Sequence, residues 1–279
     1  MRDVEVRRVD TDAAQLGMPL EPPDEAAVLR GEFRLIDADS GRVLGGQGRV
    51  DRSLAVLRRQ LPTVRYESLK ADGRMSSIRY AHRTFGYLAR QPIRQRDCCA
   101  SAALAVDRRD VHDEVAAFTA ELDELYRRLA PDAYARHARL VDEAILPEWR
   151  IDGGPWTSGI INQTAALPYH VDRNNLPGTW SAMLVVRRHL RGGWLHLPEW
   201  GVWASCEDQH AMIFEGSATL HGVTKFATRP GGYRYSLVWY CVDRMKHCLP
   251  FADEIARGSA RRTERELDEA HRVLADADE

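Results

Sequence analysis

The chain has 279 residues, of which 44% are hydrophobic, and a formal net charge of −2. This length and composition are typical of a globular protein that can bury a sizeable core as one large domain. Its apolar runs are too short to span a membrane, and its first residues lack the apolar stretch of a signal peptide, so we expect a cytoplasmic protein with no membrane partner.

The cysteines predict no disulfide framework. They are five in number and contain no CxxC pair, so we expect reduced thiols and no structural zinc site. The five are Cys98, Cys99, Cys206, Cys241 and Cys248.

Residues 30–150 are predicted to form an N-terminal α/β support. The stretch GEFRLIDADSGRVLGGQGRV is typical of two strands joined by a turn at Asp39, Ser40 and Gly41, and SLAVLRRQL after it favours a short helix. Apolar residues at steps of three and four predict an amphipathic helix over about 111–130, and a second one over about 132–146 follows Pro131.

A basic segment, residues 42–96, lies within this support. It contains thirteen Lys or Arg against three Asp or Glu, a local net charge of +10. The segment is either a solvated Arg-rich face or a contact surface for an anionic partner such as nucleic acid, and charge alone does not choose between them.

Residues 156–245 are predicted to form an all-β core of two facing sheets. Short β-prone runs (SAMLVVR, WLHLP, AMIFEG and YRYSLVWYCV) alternate there with Gly- and Pro-rich turns. The polar tail, 251–279, is helix-prone. We therefore expect a single α+β domain over residues 1–279, without internal repeats.

Three side chains of the predicted core suggest a metal centre. His170 and Asp172 are two residues apart, so at a strand end they lie on one face, and His221 follows 51 residues later. Two histidines and a carboxylate bind one face of an octahedral Fe(II) and leave the other face for a co-substrate and dioxygen. Each histidine taken alone is as well explained as an ordinary core or surface residue.

Arg234 and Ser236 favour a carboxylate-binding site near that centre. The two residues share a face of an extended strand and can together bind the carboxylate of a keto acid such as 2-oxoglutarate. Arg234 on its own is equally typical of a strand-edge cation.

The core also resembles a known family. The sequence YHVDRNNLPGTWSAMLVVRRHLRGGWLHLPEWGVW, followed by MIFEGSATLHGVTKF and GGYRYSLVWYCV, is similar to the TET/JBP branch of the Fe(II)/2-oxoglutarate dioxygenases. The resemblance covers about residues 30–245. It implies a double-stranded β-helix (jelly-roll) core with supporting N-terminal helices, to which the tail adds a C-terminal helix. It also implies Fe(II), 2-oxoglutarate and dioxygen as the reactants that oxidise the methyl group of 5-methylpyrimidines in nucleic acid.

Carried over by residue, the resemblance implies a metal and co-substrate site. The iron ligands are His170, Asp172 and His221, and the clamp on the distal carboxylate of 2-oxoglutarate is Arg234 with Ser236. His196 aligns with a family histidine near the inner end of the co-substrate. Either Arg79 or Arg83 supplies the family's upstream arginine.

The resemblance further implies contacts to the base. Asn175 matches an asparagine that hydrogen-bonds the base edge, and Tyr240 matches an aromatic residue that stacks on the base. Asn175 is otherwise a turn-former and Tyr240 a core residue. Val242 stands where animal TET enzymes carry a histidine that contacts the cytosine amino group, which leaves the choice between cytosine and thymine open.

The expected function is oxidation of 5-methylcytosine in DNA to 5-hydroxymethylcytosine, with further oxidation steps left open, in a bacterium or a phage-infected cell. Thymine is an alternative base. Another alternative is a hydroxylase that uses the same iron core on a free nucleoside, an amino acid or another small molecule. A third is a nucleic-acid-binding module with an inactive core. DNA is the expected partner, and no protein partner is implied.

Overall fold

The computed structural model describes residues 1–11, 16–70, 79–94, 96–164 and 166–277. The described strands are β1 (Arg2–Val6), β2 (Val28–Leu29), β3 (Phe33–Asp37), β4 (Val43–Arg49), β5 (Glu67–Lys70), β6 (Arg79–Leu88), β7 (Ala100–Ser101), β8 (Ser158–Gln163), β9 (Ser181–Gly192), β10 (Leu195–Leu197), β11 (Val202–Ala204), β12 (His210–Phe214), β13 (Gly222–Val223) and β14 (Phe226–Tyr240). The described helices are α1 (Ala55–Gln60), α2 (Ala103–Asp107), α3 (Arg109–Ala116), α4 (Thr119–Leu129), α5 (Pro131–Ala144) and α6 (Phe251–Ala277).

The strands form a large sheet and a small one. The order in the large sheet is β1-β3-β4-β12-β9-β14-β8-β6-β5, with β7 paired to β6. Its central strands come from the predicted β core, whereas its two edges come from the N-terminal part. The large sheet therefore contains more strands than the β-prone region 156–245 supplies.

The alternation of side chains along β14 assigns its two faces. Tyr235, Leu237 and Trp239 lie in a core cluster with the helices, and Arg234 and Ser236 lie on the opposite face. The same parity on β9 puts Leu184 and Val186 with the helices. The functional residues are thereby confined to the face that the helices do not cover.

The helices cover one face of the large sheet. The turn predicted between two strands is confirmed, since it joins β3 to β4 and Gly41 has a φ of +70°. The helix predicted over 111–130 is wrong in its continuity: Phe118 N–H bonds to Val115 O in a 3-10 turn, which separates α3 from α4. The second predicted helix is α5, and the helical tail is α6.

The small sheet, in the order β13-β10-β11-β2, faces the uncovered side of the large sheet. A second core cluster lies between them. Leu195 and Leu197 of the small sheet belong to it together with Met183, Val185 and Phe214 of the large sheet. The prediction of two facing sheets is confirmed, and the space at one end of this second core contains the site.

The expectation of reduced thiols is wrong for one pair. Cys99 and Cys248 form a disulfide with a Cα–Cα distance of 5.8 Å, whereas Cys98, Cys206 and Cys241 are free. The pair is 149 residues apart in sequence, so its formation depends on tertiary structure that cysteine spacing does not show. Among the described helices, we find none whose length and hydropathy would let it cross a bilayer.

Candidate active site

The three predicted metal ligands meet at one point. His170 and His221 form an antiparallel bridge, in which the N–H of each donates to the carbonyl of the other at 2.8 and 2.9 Å. Asp172 Oδ1 lies 3.8 Å from His170 Nε2 and 3.9 Å from His221 Nε2. One ligand atom of each residue lies within 4.8 Å of the others, so the three side chains converge on one position where a metal ion could bind.

The backbone sets the tautomer of both histidines. The Nδ1–H of His170 donates to Pro168 O at 2.8 Å, and that of His221 donates to Thr219 O at 2.9 Å. Each Nε2 therefore keeps its lone pair for a metal. Burial, reinforced by the neighbouring His170, lowers the pKa of His221 to about 4, so this imidazole is neutral at neutral pH.

A glycine makes room for the metal carboxylate. The N–H of Asp172 donates to Gly216 O at 2.9 Å, and a Cβ at position 216 would lie 2.4 Å from Asp172 Oδ2. A side chain there would displace the carboxylate. The sequence reasoning missed Gly216, because nothing in the pattern FEGSATLH shows that it approaches a residue 44 positions earlier.

The donor set and its surroundings fit Fe(II). Two imidazoles and one carboxylate on one side of an ion, with a cleft on the other side, match the facial arrangement that non-haem Fe(II) oxygenases use. The metal ligands predicted from the sequence are thus brought together.

Arg234 presents a buried cation on the same face of β14 as Ser236. The side chain is 1% exposed, and its Nε and Nη2 have no hydrogen-bond partner among the described residues. Burial lowers the pKa of Arg234 to about 10, which still leaves it charged at neutral pH. A buried charge without a partner is costly, so this group requires an anion. Ser236, on the same face of β14, lines the cleft, and a carboxylate of 2-oxoglutarate fits the pair.

The structure does not bring His196 to the cleft. Its neighbours Leu195 and Leu197 are buried between the two sheets, and strand alternation turns His196 to the other face. There it is hydrogen-bonded to the Tyr169 hydroxyl at 2.5 Å and stacks on Trp203 with centroids 3.6 Å apart. This position does not support the expected contact with the co-substrate. Burial lowers the pKa of His196 to about 4.

Arg83 is also placed elsewhere. It pairs with Glu67 at 2.6 Å and with Asp107, and it is in register with Ile161, whose side chain belongs to the helix-side core. The structure therefore does not support Arg83 as the upstream arginine. The side chain of Arg79 lies outside the described part.

Both predicted base-contact residues line the cleft. Asn175 is 7% exposed, and Tyr240 is half-buried. Burial and the nearby charge of Asp172 raise the pKa of the Tyr240 phenol, which therefore stays protonated. Val242 lines the same cleft and pairs with Asn175 through an isolated backbone bridge.

The sequence reasoning missed Asn162, a buried polar residue of the cleft. It lies on β8, where it is 4% exposed and in register with Ser236 on one side and His82 on the other. Alternation in SGIINQ is the signal that would have found it, since Ile161 packs in the core while Ile160 and Asn162 line the cleft.

Comparisons with known proteins agree with this geometry. The model of the Tet_JBP family, described as the oxygenase domain of the 2OGFeDO superfamily, matches residues 89–243. This span is more than half of the chain and contains the triad, Arg234 and Ser236. A comparison with curated proteins finds no match.

Solved structures show a similar fold. The structure of NgTET1 in complex with 5mC DNA has a TM-score of 0.57 and 12% identity over 80% of this chain and 82% of that one. A 2OG-Fe(II) oxygenase family protein from Burkholderia pseudomallei has a TM-score of 0.40 and 14% identity, with coverage of 85% and 94%. One from Caulobacter crescentus has a TM-score of 0.41 and 13% identity, with coverage of 70% and 76%.

The family match thus covers the residues that the geometry assembles around one metal position and one buried cation. The fold shared with NgTET1 agrees with that match. The chain belongs to the Tet_JBP family of the 2OGFeDO superfamily, and it is a 2-oxoglutarate-dependent dioxygenase that uses Fe(II), 2-oxoglutarate and dioxygen.

Proposed function

We propose that this dioxygenase oxidises the methyl group of 5-methylcytosine in DNA to 5-hydroxymethylcytosine. The observation that carries the proposal is a cleft of about 970 Å³ that contains the triad and has arginines at its mouth. A volume of this size accommodates a pyrimidine base beside the co-substrate. The arginines supply the charge that a nucleic-acid backbone requires.

Two of these arginines are free to bind phosphate. Arg173 and Arg244 are exposed and line the cleft, and their side chains make no hydrogen bond or ion pair within the described residues. Arg173 directly follows the metal ligand Asp172. By contrast, Arg52 and Arg58 of the basic segment 42–96 are paired with acidic side chains. The exposed, unpaired arginines Arg173 and Arg244 therefore support a phosphate surface at the cleft mouth.

The lining of the cleft suits an extruded base. A base in a duplex must leave the stack to reach the metal, and it then needs a stacking partner and polar contacts. Tyr240 offers an aromatic face near Asp172, and Asn162 offers a buried amide in the same cleft. These residues support a pyrimidine as the substrate.

The remaining residues have separable tasks. His170, Asp172 and His221 would hold Fe(II), and Arg234 with Ser236 would hold 2-oxoglutarate. With dioxygen, these groups supply the oxidation of a C–H bond, and 2-oxoglutarate is converted to succinate and carbon dioxide. The protein orients the reactants and keeps water out of the inner end, which apolar side chains line: Met183, Leu195, Phe214 and Val223.

The same proposal extends to the fold. We assign the facing strands β8, β9, β12 and β14 of the large sheet, with β10, β11 and β13 of the small sheet, to a double-stranded β-helix. The position of the triad at one end of the two sheets supports this assignment.

The function is tested by the products of the purified enzyme. It is incubated with Fe(II), 2-oxoglutarate and three substrates in parallel: DNA containing 5-methylcytosine, the same DNA with thymine as its only methylated base, and free 5-methyldeoxycytidine. Mass spectrometry of the nucleosides should show 5-hydroxymethylcytosine only from the first substrate. Hydroxymethyluracil from the second would identify thymine as the base, in keeping with the apolar Val242 in the cleft. Product from the free nucleoside alone would identify a small-molecule hydroxylase.

A further inference from the structure

Two adjacent asparagines, Asn174 and Asn175, follow the metal ligand Asp172 in sequence, and their side chains lie in different environments. Asn175 is 7% exposed, whereas Asn174 is exposed and its side chain makes no hydrogen bond within the described part of the chain. A buried side-chain amide in a folded protein almost always has hydrogen-bond partners. The partners of Asn175 therefore indicate its role.

The side chain of Asn175 turns toward the metal carboxylate. Its amide nitrogen Nδ2 lies 3.1 Å from Ser181 Oγ and 3.5 Å from Asp172 Oδ2. A carboxylate oxygen can only accept a hydrogen bond, so the amide must direct its nitrogen, and not its oxygen, to Asp172. The backbone supports the same arrangement, because the N–H of Asn175 donates to the carbonyl of Asp172 at 3.0 Å.

The two oxygens of Asp172 consequently have different surroundings. Oδ1 faces the Nε2 atoms of His170 and His221 at 3.8 and 3.9 Å. Oδ2 lies between the amide of Asn175 and the Cα of Gly216, where a Cβ would approach to 2.4 Å. One oxygen is held by the protein while the other is presented to the metal position. Groups that orient a ligating carboxylate in this way tune metal affinity.

We propose that Asn175 is a positioning residue for Asp172: through its amide nitrogen it fixes the carboxylate in the orientation that binds Fe(II), and Ser181 fixes the amide. This role differs from the base contact that the resemblance implies, because the amide nitrogen is already used inside the protein. It does not depend on DNA being the substrate.

The test is metal binding by the apoprotein, measured without turnover. Mn²⁺ serves as an air-stable probe for the Fe(II) position, and its affinity is measured by titration calorimetry. We expect Asn175→Ala to weaken Mn²⁺ binding by about tenfold or more, and Ser181→Ala to weaken it in the same direction by a smaller factor. Asn174→Ala is the matched control and should bind Mn²⁺ like the wild type.

A second variant of Asn175 distinguishes the loss of the amide from a folding defect. Asn175→Leu keeps the branched four-atom skeleton of the side chain but has no amide, so it should show the same loss of Mn²⁺ affinity with an unchanged circular dichroism spectrum. The visible spectrum of bound Co²⁺, which reports ligand geometry, should change in both Asn175 variants and not in Asn174→Ala. Wild-type Mn²⁺ affinity in Asn175→Leu, combined with lost oxidation of the substrate, would overturn the proposal and assign Asn175 to the base.

Discussion

Arg234 illustrates at the residue scale how an unsatisfied group indicates a ligand. Its guanidinium is buried and charged, yet Nε and Nη2 lack partners in the described part of the chain. Gly193 lies beside the Arg234 side chain and leaves space for it, because a Cβ at position 193 would lie 3.2 Å from Arg234 Nε. An anionic co-substrate satisfies this cation, and the conversion of 2-oxoglutarate requires that it be held in one orientation.

Replacing Arg234 should therefore affect the co-substrate and not the metal. We expect Arg234→Ala to raise KM for 2-oxoglutarate by about 10- to 150-fold, since a hydrogen bond to a charged group contributes roughly 1.5 to 3 kcal/mol, while Mn²⁺ affinity is unchanged. Arg188→Ala, an exposed arginine of β9, is the control. An unaltered KM in Arg234→Ala would mean that another cation binds the co-substrate.

The close approach of Gly216 to Asp172 leads to a second prediction at the residue scale. A methyl group at this position would lie 2.4 Å from Asp172 Oδ2, so Gly216→Ala should displace the carboxylate and weaken Mn²⁺ binding of the apoprotein by at least about tenfold. Ser217→Ala, at the next position, should leave Mn²⁺ affinity unchanged. Equal calorimetric titrations for Gly216→Ala and the wild type would show that Asp172 does not need this space.

At the scale of elements, strand parity explains where the predicted site residues lie. The pairs His170 with Asp172 and Arg234 with Ser236 were predicted because residues two apart share a face of an extended segment, and the structure places each pair accordingly. The same rule turns His196 away from the cleft, since it alternates with two buried leucines.

Other features depend on contacts distant in sequence. The break between α3 and α4 occurs at Phe118, a fully buried residue that continues the apolar periodicity, so the pattern predicts one helix across it. The outer strands of the large sheet (β1, β3 and β4 at one side, β6 and β5 at the other) come from residues outside the predicted core. Neither periodicity nor spacing indicates such pairings before the chain is folded.

The disulfide between the segment before β7 and the segment before α6 gives a prediction at this scale. It closes a span of 149 residues, so Cys248→Ala should lower the free energy of unfolding by about 2–4 kcal/mol in oxidising buffer. Adding a dithiol reductant should produce a similar loss in the wild type. Cys98→Ala, which removes the adjacent free thiol, should change neither result. Identical urea midpoints for Cys248→Ala and the wild type would contradict a stabilising disulfide.

At the scale of the whole molecule, the distribution of charge matters more than its sum. The net charge is −2, yet arginines gather where the cleft opens: Arg90, Arg96, Arg173 and Arg244. Arg90 is held by the buried carboxylate of Glu254, whereas Arg173 and Arg244 remain available for a ligand. A nearly neutral protein can thus direct a local positive potential at one anionic partner.

The salt dependence of the DNA affinity should become weaker when either of these two arginines is removed. The slope of log affinity against log salt concentration should fall by about 1 in Arg173→Ala or Arg244→Ala, and by about 2 in the double variant. Arg229→Ala, an exposed arginine of β14 that does not line the cleft, should keep the wild-type slope. Fluorescence anisotropy with a methylated duplex at several salt concentrations provides the measurement. A slope that is the same in all four variants would place the phosphate contacts elsewhere.

The most direct test of the central claim is whether methylated DNA drives turnover. Succinate and 5-hydroxymethylcytosine are quantified in the same reaction, with a duplex containing 5-methylcytosine or the identical unmethylated duplex. We predict that the methylated duplex strongly stimulates succinate formation and that one 5-hydroxymethylcytosine appears for each succinate at early times. Asp172→Ala should form neither product. Succinate formed at equal rates with both duplexes, and without 5-hydroxymethylcytosine, would contradict the claim that this cleft oxidises 5-methylcytosine in DNA.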